Sequence, residues 1–264
     1  MPQASILSLR SNAVLCLTLN RPDARNALSE AMIAALTRAI DDCGRDSSVH
    51  AVVLAANGSA FSAGHDLKEL NAHRADADGG KAYFHRIMQD CATMMQAIVA
   101  CPKPVIAAVE GVATAAGCQL VATCDLAVAG ANARFATPGV NIGLFCSTPM
   151  VALSRNVSRK RAMEMLLLGE MLDAAGALDF GLVNRVVPAG QAEPEALAMA
   201  AKIAAKSPLT VATGKEAFYR QLEAPLAEAY AQTAEVMVRN MLARDAIEGI
   251  GAFIDKRTPK WEGR

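Results

Sequence analysis

The sequence predicts an α/β fold, and three observations support that class. Short apolar runs rich in β-branched residues recur up to residue 187 and predict buried strands. Longer segments with apolar residues at helical spacing lie between these runs. Strands that alternate with helices are typical of α/β proteins, and only helical patterns follow the last predicted strand.

Local signals justify the predicted elements in order along the chain. Ser29 is the predicted N-cap of a helix in which Met32, Leu36 and Ile40 share one apolar face. Polar residues 71–80 lack periodicity and predict a mobile loop. The predicted strands are 5–9, 13–19, 51–55, 104–109, 125–129, 134–135 and 183–187. The predicted helices are 29–40, 67–70, 81–100, 119–124, 150–155, 159–168, 173–180, 191–206, 208–222, 225–241 and 245–256.

Composition narrows the class of function. Hydrophobic residues make up 53% of the chain, which is enough for a sizeable core. Lys and Arg together number 26, as do Asp and Glu, so we expect neither a nucleic-acid surface nor a polybasic membrane surface. The 7 cysteines show no metal-ligand spacing, so we expect no metal. The start of the chain lacks a targeting pattern and no apolar run could span a membrane, so we expect a cytoplasmic location without membrane contact.

A run of small residues follows the predicted strand at 104–109. It extends from Gly111 to Gly117 and leads into the predicted helix 119–124, which we expect to be amphipathic. A strand that gives way to a helix in this manner directs backbone N–H groups at whatever lies before the helix, and small side chains allow a ligand to approach them. The alternative is that Ala115, Ala116 and Gly117 only let the helix pack closely.

A second strand-to-helix turn lies upstream. The predicted strand at 51–55 is followed by Ala63-Gly64, then by an acidic residue and a short helix. Two such turns can each direct one backbone N–H at a common point. That arrangement is typical of an oxyanion hole, in which two donors stabilise a developing negative oxygen.

With these two turns, the chain resembles the crotonase superfamily, whose fold is that of enoyl-CoA hydratase/isomerase. The stretches that carry the resemblance are Asn20-Arg21-Pro22, Asn26-Ala27-Leu28, Phe61-Ser62-Ala63-Gly64-His65-Asp66-Leu67, residues 104–111 and Cys124-Asp125-Leu126-Ala127-Val128-Ala129. Within the superfamily, residues 113–122, 135–141 and 143–149 resemble the subgroup of enoyl-CoA hydratase domain-containing protein 3. The resemblance extends over nearly the whole chain.

The resemblance implies an architecture and an assembly. Residues 1–206 are expected to form a spiral of ββα units that carries the acyl-CoA site. Residues 207–264 are expected to form a helical region that assembles a homotrimer or a dimer of trimers. The loop at 71–80 is expected to help cover the acyl pocket.

The resemblance also implies the chemistry of the site. The oxyanion donors would be the backbone N–H groups of His65 and Ala116. Gln119 and Gly139 occupy the two positions at which hydratases of the family carry glutamate, and a Cβ is expected to fit at both. Gln cannot take up a proton and Gly has no side chain, so we expect weak hydration or a different reaction. The alternative is a non-catalytic acyl-CoA-binding or regulatory protein of fatty-acid metabolism.

Two side chains at this site have open roles. The imidazole of His65 could act as acid or base, or it could only line the pocket or cap the following turn. Cys146 could be a nucleophile if a base lay nearby, or it could be a buried structural thiol.

Coenzyme A is expected only as part of the substrate, with no separate cofactor. The resemblance places its adenine and pantetheine along Arg25, Ala27, Ala63 and His65. It also implies that Phe253 and Lys256 reach the phosphates bound by a neighbouring subunit. Arg25 and Lys256 carry the positive charge that phosphate binding requires, although either could instead be a solvated surface cation.

Overall fold

The computed structural model describes residues 4–264; residues 1–3, with which the predicted core region 1–206 begins, lie outside the described part. The strands are β1 (Ile6–Ser11), β2 (Val14–Leu19), β3 (Ala51–Ala56), β4 (Ala60–Ser62), β5 (Val105–Val109), β6 (Val112–Thr114), β7 (Leu126–Gly130), β8 (Arg134–Ala136), β9 (Leu172–Asp173) and β10 (Arg185–Val187). The helices are α1 (Glu30–Arg45), α2 (Leu67–Ala72), α3 (Lys81–Ala100), α4 (Ala116–Thr123), α5 (Pro149–Asn156), α6 (Arg159–Leu168), α7 (Ala174–Phe180), α8 (Ala192–Ala204), α9 (Pro208–Leu222), α10 (Leu226–Leu242) and α11 (Arg244–Ile254).

A six-stranded sheet forms the centre of the molecule, in the order β1-β2-β3-β5-β7-β10. β1 and β2 are antiparallel and every other neighbouring pair is parallel. All five residues of β5 are buried. Parallel strands covered on both faces read as continuous apolar runs, which is why composition alone revealed β3 and β5.

Helices cover both faces of this sheet. On one face, Val52 and Leu54 of β3 join a large apolar cluster with residues of α1 and α3. On the other face, Val53 packs in a smaller cluster with three alanines of α8, Ala192, Ala196 and Ala200. Alternate residues of one strand therefore contribute to different cores, as the two-residue repeat of a strand requires.

A second sheet of four strands, β4-β6-β8-β9, positions the two turns predicted from the sequence. β4 and β6 are parallel neighbours, so their carboxyl ends meet at one edge. Only Ala115 separates β6 from α4. The expectation that this helix is amphipathic and begins at residue 119 was wrong, because α4 begins at Ala116 and all eight of its residues are buried.

The predicted fold class is confirmed, including the helical region near the C-terminus. Ser29 caps α1 as predicted, accepting a hydrogen bond from the backbone N–H of Met32. The predicted loop at 71–80 is partly helical, because it contains the end of α2 and a 3₁₀ turn at His73–Ala75. Among residues 4–264, no helix has both the length and the apolar composition that a membrane crossing needs.

Candidate active site

The segments around Arg25 and His65 lie side by side. The N–H of Ala63 donates to the carbonyl oxygen of Arg25 at 3.0 Å, and the N–H of Leu28 donates to that of Gly64 at 2.8 Å. A parallel bridge joins Leu28 to His65. The structure thus groups four of the predicted coenzyme-contacting residues, Arg25, Ala27, Ala63 and His65.

Asn26 organises this pairing, a role that the sequence analysis did not assign. It is fully buried and adopts a φ of 50°, a left-handed conformation that Asn tolerates better than most residues. Its side chain donates to the carbonyl oxygens of Asn57 and Ala60, both at 2.8 Å, and accepts from the N–H of Arg21 at 2.8 Å. The sequence signal that could have indicated this role is an Asn shortly after Asn20-Arg21-Pro22, in a segment where the chain has to turn.

The turn after β4 packs directly against the start of α4. An ideal Cβ at Gly64, whose φ is +87°, would lie 2.9 Å from the Cβ of Ala115 and 3.2 Å from the backbone nitrogen of Ala116. An ideal Cβ at Gly117 would lie only 2.2 Å from the carbonyl oxygen of Ser62. The absence of side chains at these two glycines therefore brings the two turns together, so close packing is one reason for the small residues.

The backbone at this junction is strained. Ala115 has φ 50° and ψ −118°, a combination that a residue with a Cβ rarely adopts. Its N–H donates to the carbonyl oxygen of Ala136 at 2.9 Å, which fixes the peptide that precedes α4.

Two backbone N–H groups at this junction remain without acceptors. Within residues 4–264, neither the N–H of His65 nor that of Ala116 donates a hydrogen bond to backbone or side chain. Ala116 begins α4, where the first N–H groups have no partner inside the helix. Unpaired N–H groups of this kind bind a negatively charged or polarised oxygen.

The side chain of His65 does not cap the next helix. That role belongs to Asp66, whose carboxylate accepts from the N–H groups of Lys68 and Glu69 and forms an ion pair with Arg21 at 3.4 Å. The Nε2 atom of His65 is buried and has no hydrogen-bond partner among the described residues. Burial lowers the pKa of His65, so the imidazole is neutral near pH 7.

Gln119 lies one turn into α4, on the same side as Ala116. It is 4% exposed, and its Oε1 atom has no hydrogen-bond partner among the described residues. Thr137, which follows β8, is also fully buried with an unpaired Oγ1. The sequence analysis gave Thr137 no role, because only a structure shows that its hydroxyl lacks a partner. Unpaired buried polar atoms are rare in folded proteins, and a bound water, ion or ligand is one explanation for them.

The position of Gly139 differs from what the sequence led us to expect. An ideal Cβ there would lie 2.8 Å from the carbonyl oxygen of Leu144 and 2.9 Å from the Sγ atom of Cys146. The N–H of Leu144 also donates to the carbonyl oxygen of Gly139 at 2.9 Å. The expectation that a Cβ fits at residue 139 was therefore wrong, because the segment 144–146 closes over this residue.

Cys146 is a buried thiol in this structure. It is 7% exposed, and burial raises its pKa. A raised pKa disfavours the thiolate that a nucleophilic role would need.

The remaining predicted contacts are Phe253, near the end of α11, and Lys256, just after that helix. α11 packs on α9 and α10, and Asp245 at its start accepts hydrogen bonds from Ser207 and from the backbone of residues 262–263. Phe253 is 85% exposed and Lys256 is also exposed. No hydrogen bond or ion pair within residues 4–264 joins either residue to the segment around Arg25.

A cavity of about 550 Å³ lies between α9 and the edge of the core, away from the two turns. Below it, Asp125 accepts from the Nζ atom of Lys215 at 2.7 Å and from the hydroxyl of Tyr219 at 2.8 Å. These contacts attach α9 to the central sheet. Across residues 4–264, no group of three or more His, Cys, Asp or Glu side chains is arranged to hold a metal ion.

Comparisons with known proteins show the family and the fold. Residues 10–264 match the family model described as enoyl-CoA hydratase/isomerase. Enoyl-CoA hydratase domain-containing protein 3, mitochondrial, of Xenopus laevis is 49% identical over 92% of this chain and 81% of its own length. A crystal structure of enoyl-CoA hydratase from Mycobacterium smegmatis is 53% identical, covers 98% of this chain and 99% of its own, and superposes with a TM-score of 0.93. That of human enoyl coenzyme A hydratase domain-containing protein 3 is 44% identical, with 97% and 100% coverage and a TM-score of 0.92.

The comparisons correct the predicted cytoplasmic location. Five relatives, the Xenopus protein among them, have the same name and are 43–49% identical to this chain. All five are named mitochondrial. The prediction was wrong because a targeting segment is separate from the packed fold. The sequence of the folded part therefore does not indicate the cellular compartment.

Proposed function

The chain belongs to the enoyl-CoA hydratase/isomerase family, and from this membership we propose that it binds an acyl-CoA thioester and polarises the thioester carbonyl through the N–H groups of His65 and Ala116. One observation carries the proposal: these two N–H groups have no acceptor within residues 4–264, and they adjoin where Gly64 packs against the start of α4. A thioester oxygen bound there would accept from both.

The two donors would favour formation of an enolate. As a base removes a proton next to the carbonyl, or as a nucleophile adds to the conjugated double bond, negative charge moves to the thioester oxygen. Fixed N–H dipoles stabilise that charge without reorganisation, and one such donor is worth about 10²–10³ in rate. Backbone donors need no particular side chain, so this part of the machinery is independent of residues 119 and 139.

Hydration is proposed to be slow. Gln119 presents an amide where a carboxylate would activate water, and the backbone at Leu144 occupies the space beside Gly139. Each missing acid or base group reduces the rate by about 10²–10⁴. The test is loss of the enoyl absorbance of crotonyl-CoA with purified protein beside a hydratase of the family. Hydration within tenfold of that reference enzyme would contradict the proposal.

A second function, acyl-CoA binding without turnover, is favoured by the state of the nearby titratable groups. Burial lowers the pKa of His65 and raises that of Cys146, so near pH 7 the imidazole is neutral and cannot act as an imidazolium acid, and the thiol stays protonated and is a poor nucleophile. One experiment distinguishes an enzyme from a binding protein. Thermal shift is measured with acyl-CoAs of different chain lengths, and the bound thioester is then analysed by mass spectrometry. A change in ligand mass indicates an enzyme, and stabilisation with unchanged ligand indicates a binding protein.

The coenzyme is proposed to lie along the paired segments that contain Arg25, Ala27, Ala63 and His65. Arg25 is exposed, and its side chain forms no hydrogen bond or ion pair with other described residues. Its guanidinium is therefore available to a phosphate group of coenzyme A. No separate cofactor is proposed.

Residues 207–264 are proposed to assemble the chain into a homotrimer or a dimer of trimers. α10 and α11 expose many large apolar side chains, among them Leu242 (76%), Ile247 (65%), Phe253 (85%) and Ile254 (71%). Contiguous exposed apolar surface marks an interface between proteins. In such an assembly Phe253 and Lys256 would lie against a neighbouring subunit.

Light scattering of the wild-type protein and of Phe253→Glu/Ile254→Glu tests this assembly. We expect a trimer or hexamer for the wild type and dissociation of the variant. The control is Leu9→Glu on β1, which replaces an apolar side chain that is 73% exposed outside this region. A wild-type monomer at micromolar concentration would refute the assembly.

A further inference from the structure

The cavity of about 550 Å³ beside α9 has no part in the proposed acyl-CoA site, because none of the residues predicted for that site lines it. It lies between α9, the end of α8 and the amino-terminal ends of β5 and β7, which Pro104 and Asp125 directly precede. The two turns of the candidate active site instead follow the carboxyl ends of β4 and β6. We call this space the α8–α9 cavity, and its volume is within the range of about 300–1,000 Å³ that is typical of small-molecule sites.

One face of α9 forms a wall of the α8–α9 cavity. Its residues recur every three or four positions, as one side of a helix requires, and they are Val211, Gly214, Lys215, Phe218 and Tyr219. Phe218 is 55% exposed, so the rest of the chain leaves much of this aromatic ring uncovered. Leu126 at the start of β7 and Ile203 in α8 line the cavity from the core side. A hydrocarbon chain in contact with these side chains would be removed from water, which is favourable.

Two of the four charged side chains that line the cavity neutralise each other. The Nζ atom of Lys215 donates to the carboxylate of Asp125 at 2.7 Å. It also donates to the carbonyl oxygens of Ile98 at 3.0 Å and Lys103 at 3.1 Å. The same carboxylate accepts from the backbone N–H of Val105 at 2.7 Å. Because both charges already have partners, this pair does not favour a ligand of either sign.

The other two charged side chains of the cavity, Lys202 and Lys206, are unpaired. Neither forms an ion pair with any residue in the described range 4–264. Lys202 is in the last turn of α8, and Lys206 follows that helix by two residues. Both are exposed, so they lie where the cavity opens to solvent. The α8–α9 cavity therefore combines apolar walls with two available positive charges at its mouth.

We propose that the α8–α9 cavity binds a single-chain amphiphile with an anionic head group. The hydrocarbon chain would lie along Phe218 and Ile203, and the head group would lie between the ammonium groups of Lys202 and Lys206. A free fatty acid and an alkyl phosphate share this chemistry. The proposal does not depend on acyl-CoA binding at the two turns.

Calorimetry of the whole wild-type chain, in the assembly that it forms in solution, tests the proposal with three probes. Laurate and dodecyl phosphate carry an anionic head group, and dodecanol has a chain of the same length without a charge. We expect the anions to bind at one site per chain and dodecanol to bind about tenfold more weakly, because it lacks charge-assisted contacts. Binding by only one of the two anions would identify the head group. Absence of binding by both would overturn the proposal.

Two variants locate the ligand in the α8–α9 cavity. An added Cβ at Gly214 meets nothing within 4 Å, so Gly214→Leu should fold and place its side chain in the cavity. We expect it to weaken laurate binding about tenfold, whereas the matched control Gly214→Ala should bind as the wild type does. Equal affinity of these two variants would overturn the proposal.

Lys202→Glu/Lys206→Glu tests the head-group contact and should also weaken laurate binding about tenfold. The control is Arg159→Glu/Lys160→Glu, which reverses two exposed charges on α6 and should leave the affinity unchanged. Wild-type affinity in the Lys202→Glu/Lys206→Glu variant would overturn the proposal, because the two lysines would then only complement the carboxyl end of α8.

Competition separates the α8–α9 cavity from the acyl-CoA site. Crotonyl-CoA should leave the affinity for laurate unchanged, and displacement of laurate would assign it to the two turns and overturn the proposal. If Gly214→Leu fails to fold, a laurate analogue with a diazirine on its chain gives an independent readout with the wild-type protein. After irradiation and digestion, we expect the label on the peptides that contain Ile203 or Phe218. Labelling only elsewhere in the chain would overturn the proposal.

Discussion

The two halves of the candidate site differ in what builds them. The half formed by the turn after β4 and the start of α4 is made of backbone, with free N–H groups at His65 and Ala116. The half that contains Gln119 and Gly139 depends on side chains, and there residue 119 presents an amide and residue 139 has no side chain. The first half is fixed by close packing of glycines, whereas the second is filled by residues 144–146.

This difference shows which part of a site can change without loss of the fold. A backbone donor is retained as long as the chain follows the same path, because it needs no particular residue. An acid or base depends on one side chain and can be lost by one substitution. We infer that carbonyl polarisation and acid–base chemistry are separable in this protein, and the predictions below test that separation.

The largest effect is expected at Gly117, which supports the backbone half. Gly117→Ala would place a Cβ 2.2 Å from the carbonyl oxygen of Ser62, so β4 and α4 would have to separate. We expect a loss of about 3 kcal/mol in the free energy of unfolding, as for severe overpacking. Acyl-CoA affinity should fall as well, because the two N–H groups would move apart. Urea unfolding and calorimetry measure the two changes.

Gly214→Ala on α9 is the control for this change. An added Cβ there meets nothing within 4 Å, and alanine is the better helix former, so we expect a gain of about 0.5–1 kcal/mol. If Gly117→Ala were as stable as the wild type, the close packing of the two turns would not be what holds the backbone half.

The next effect is expected at Gly139, in the side-chain half. Gly139→Ala should cost about 1–3 kcal/mol, because the new Cβ would meet Leu144 and Cys146. Gln119→Glu combined with Gly139→Glu should therefore give little hydration of crotonyl-CoA, although both carboxylates would be present. A large gain in rate by a folded double variant would mean that the segment 144–146 moves aside, and would weaken the contrast between the two halves.

Much of the fold could be predicted because its signals are local. β5 is a continuous apolar run, Ser29 is followed by a helical repeat, and Pro208 starts α9 after an N-capping serine. The pairing of the turns around Gly64 and Ala116 was predicted from their similar strand-to-helix sequences. In each case, residues close together in sequence determine the structure.

The remainder depends on contacts between residues distant in sequence. No local pattern shows that Leu144 covers Gly139, that Asn26 bonds to Asn57 and Ala60, or that Thr137 lacks a partner. The error over α4 has the same origin. The helix was predicted to be amphipathic, but neighbouring elements bury all eight of its residues.

A smaller effect is expected at Arg25, which adjoins the backbone half. Arg25→Glu should weaken acyl-CoA binding about tenfold, as expected when a charge-assisted hydrogen bond to phosphate is lost. The melting temperature should stay the same, because the side chain is exposed. Arg38→Glu is the control, an exposed arginine on α1. Equal affinity of the two variants in calorimetry would show that Arg25 is a surface charge without a role in binding.

The smallest effect is expected from the imidazole of His65, since only one side chain titrates while the backbone N–H stays in place. Burial lowers the pKa of His65 in the folded protein below its unfolded value of 6.5. The unfolded chain therefore binds more protons as the pH falls below 6.5, so stability should decrease there and remain unaffected by this group above that pH. On going from pH 7.5 to pH 5.5, His65→Gln should lose less stability than the wild type. These two conditions lie about one pH unit above and below the unfolded pKa.

Urea unfolding at both pH values measures this difference, with His85→Gln as the control for an exposed histidine. Acyl-CoA binding by His65→Gln at pH 7.5 should persist, because the proposed donor is the backbone N–H and not the ring. Abolished binding in a folded His65→Gln protein would assign the essential contact to the imidazole. The side chain of residue 65 would then belong with the part of the site that one substitution can remove.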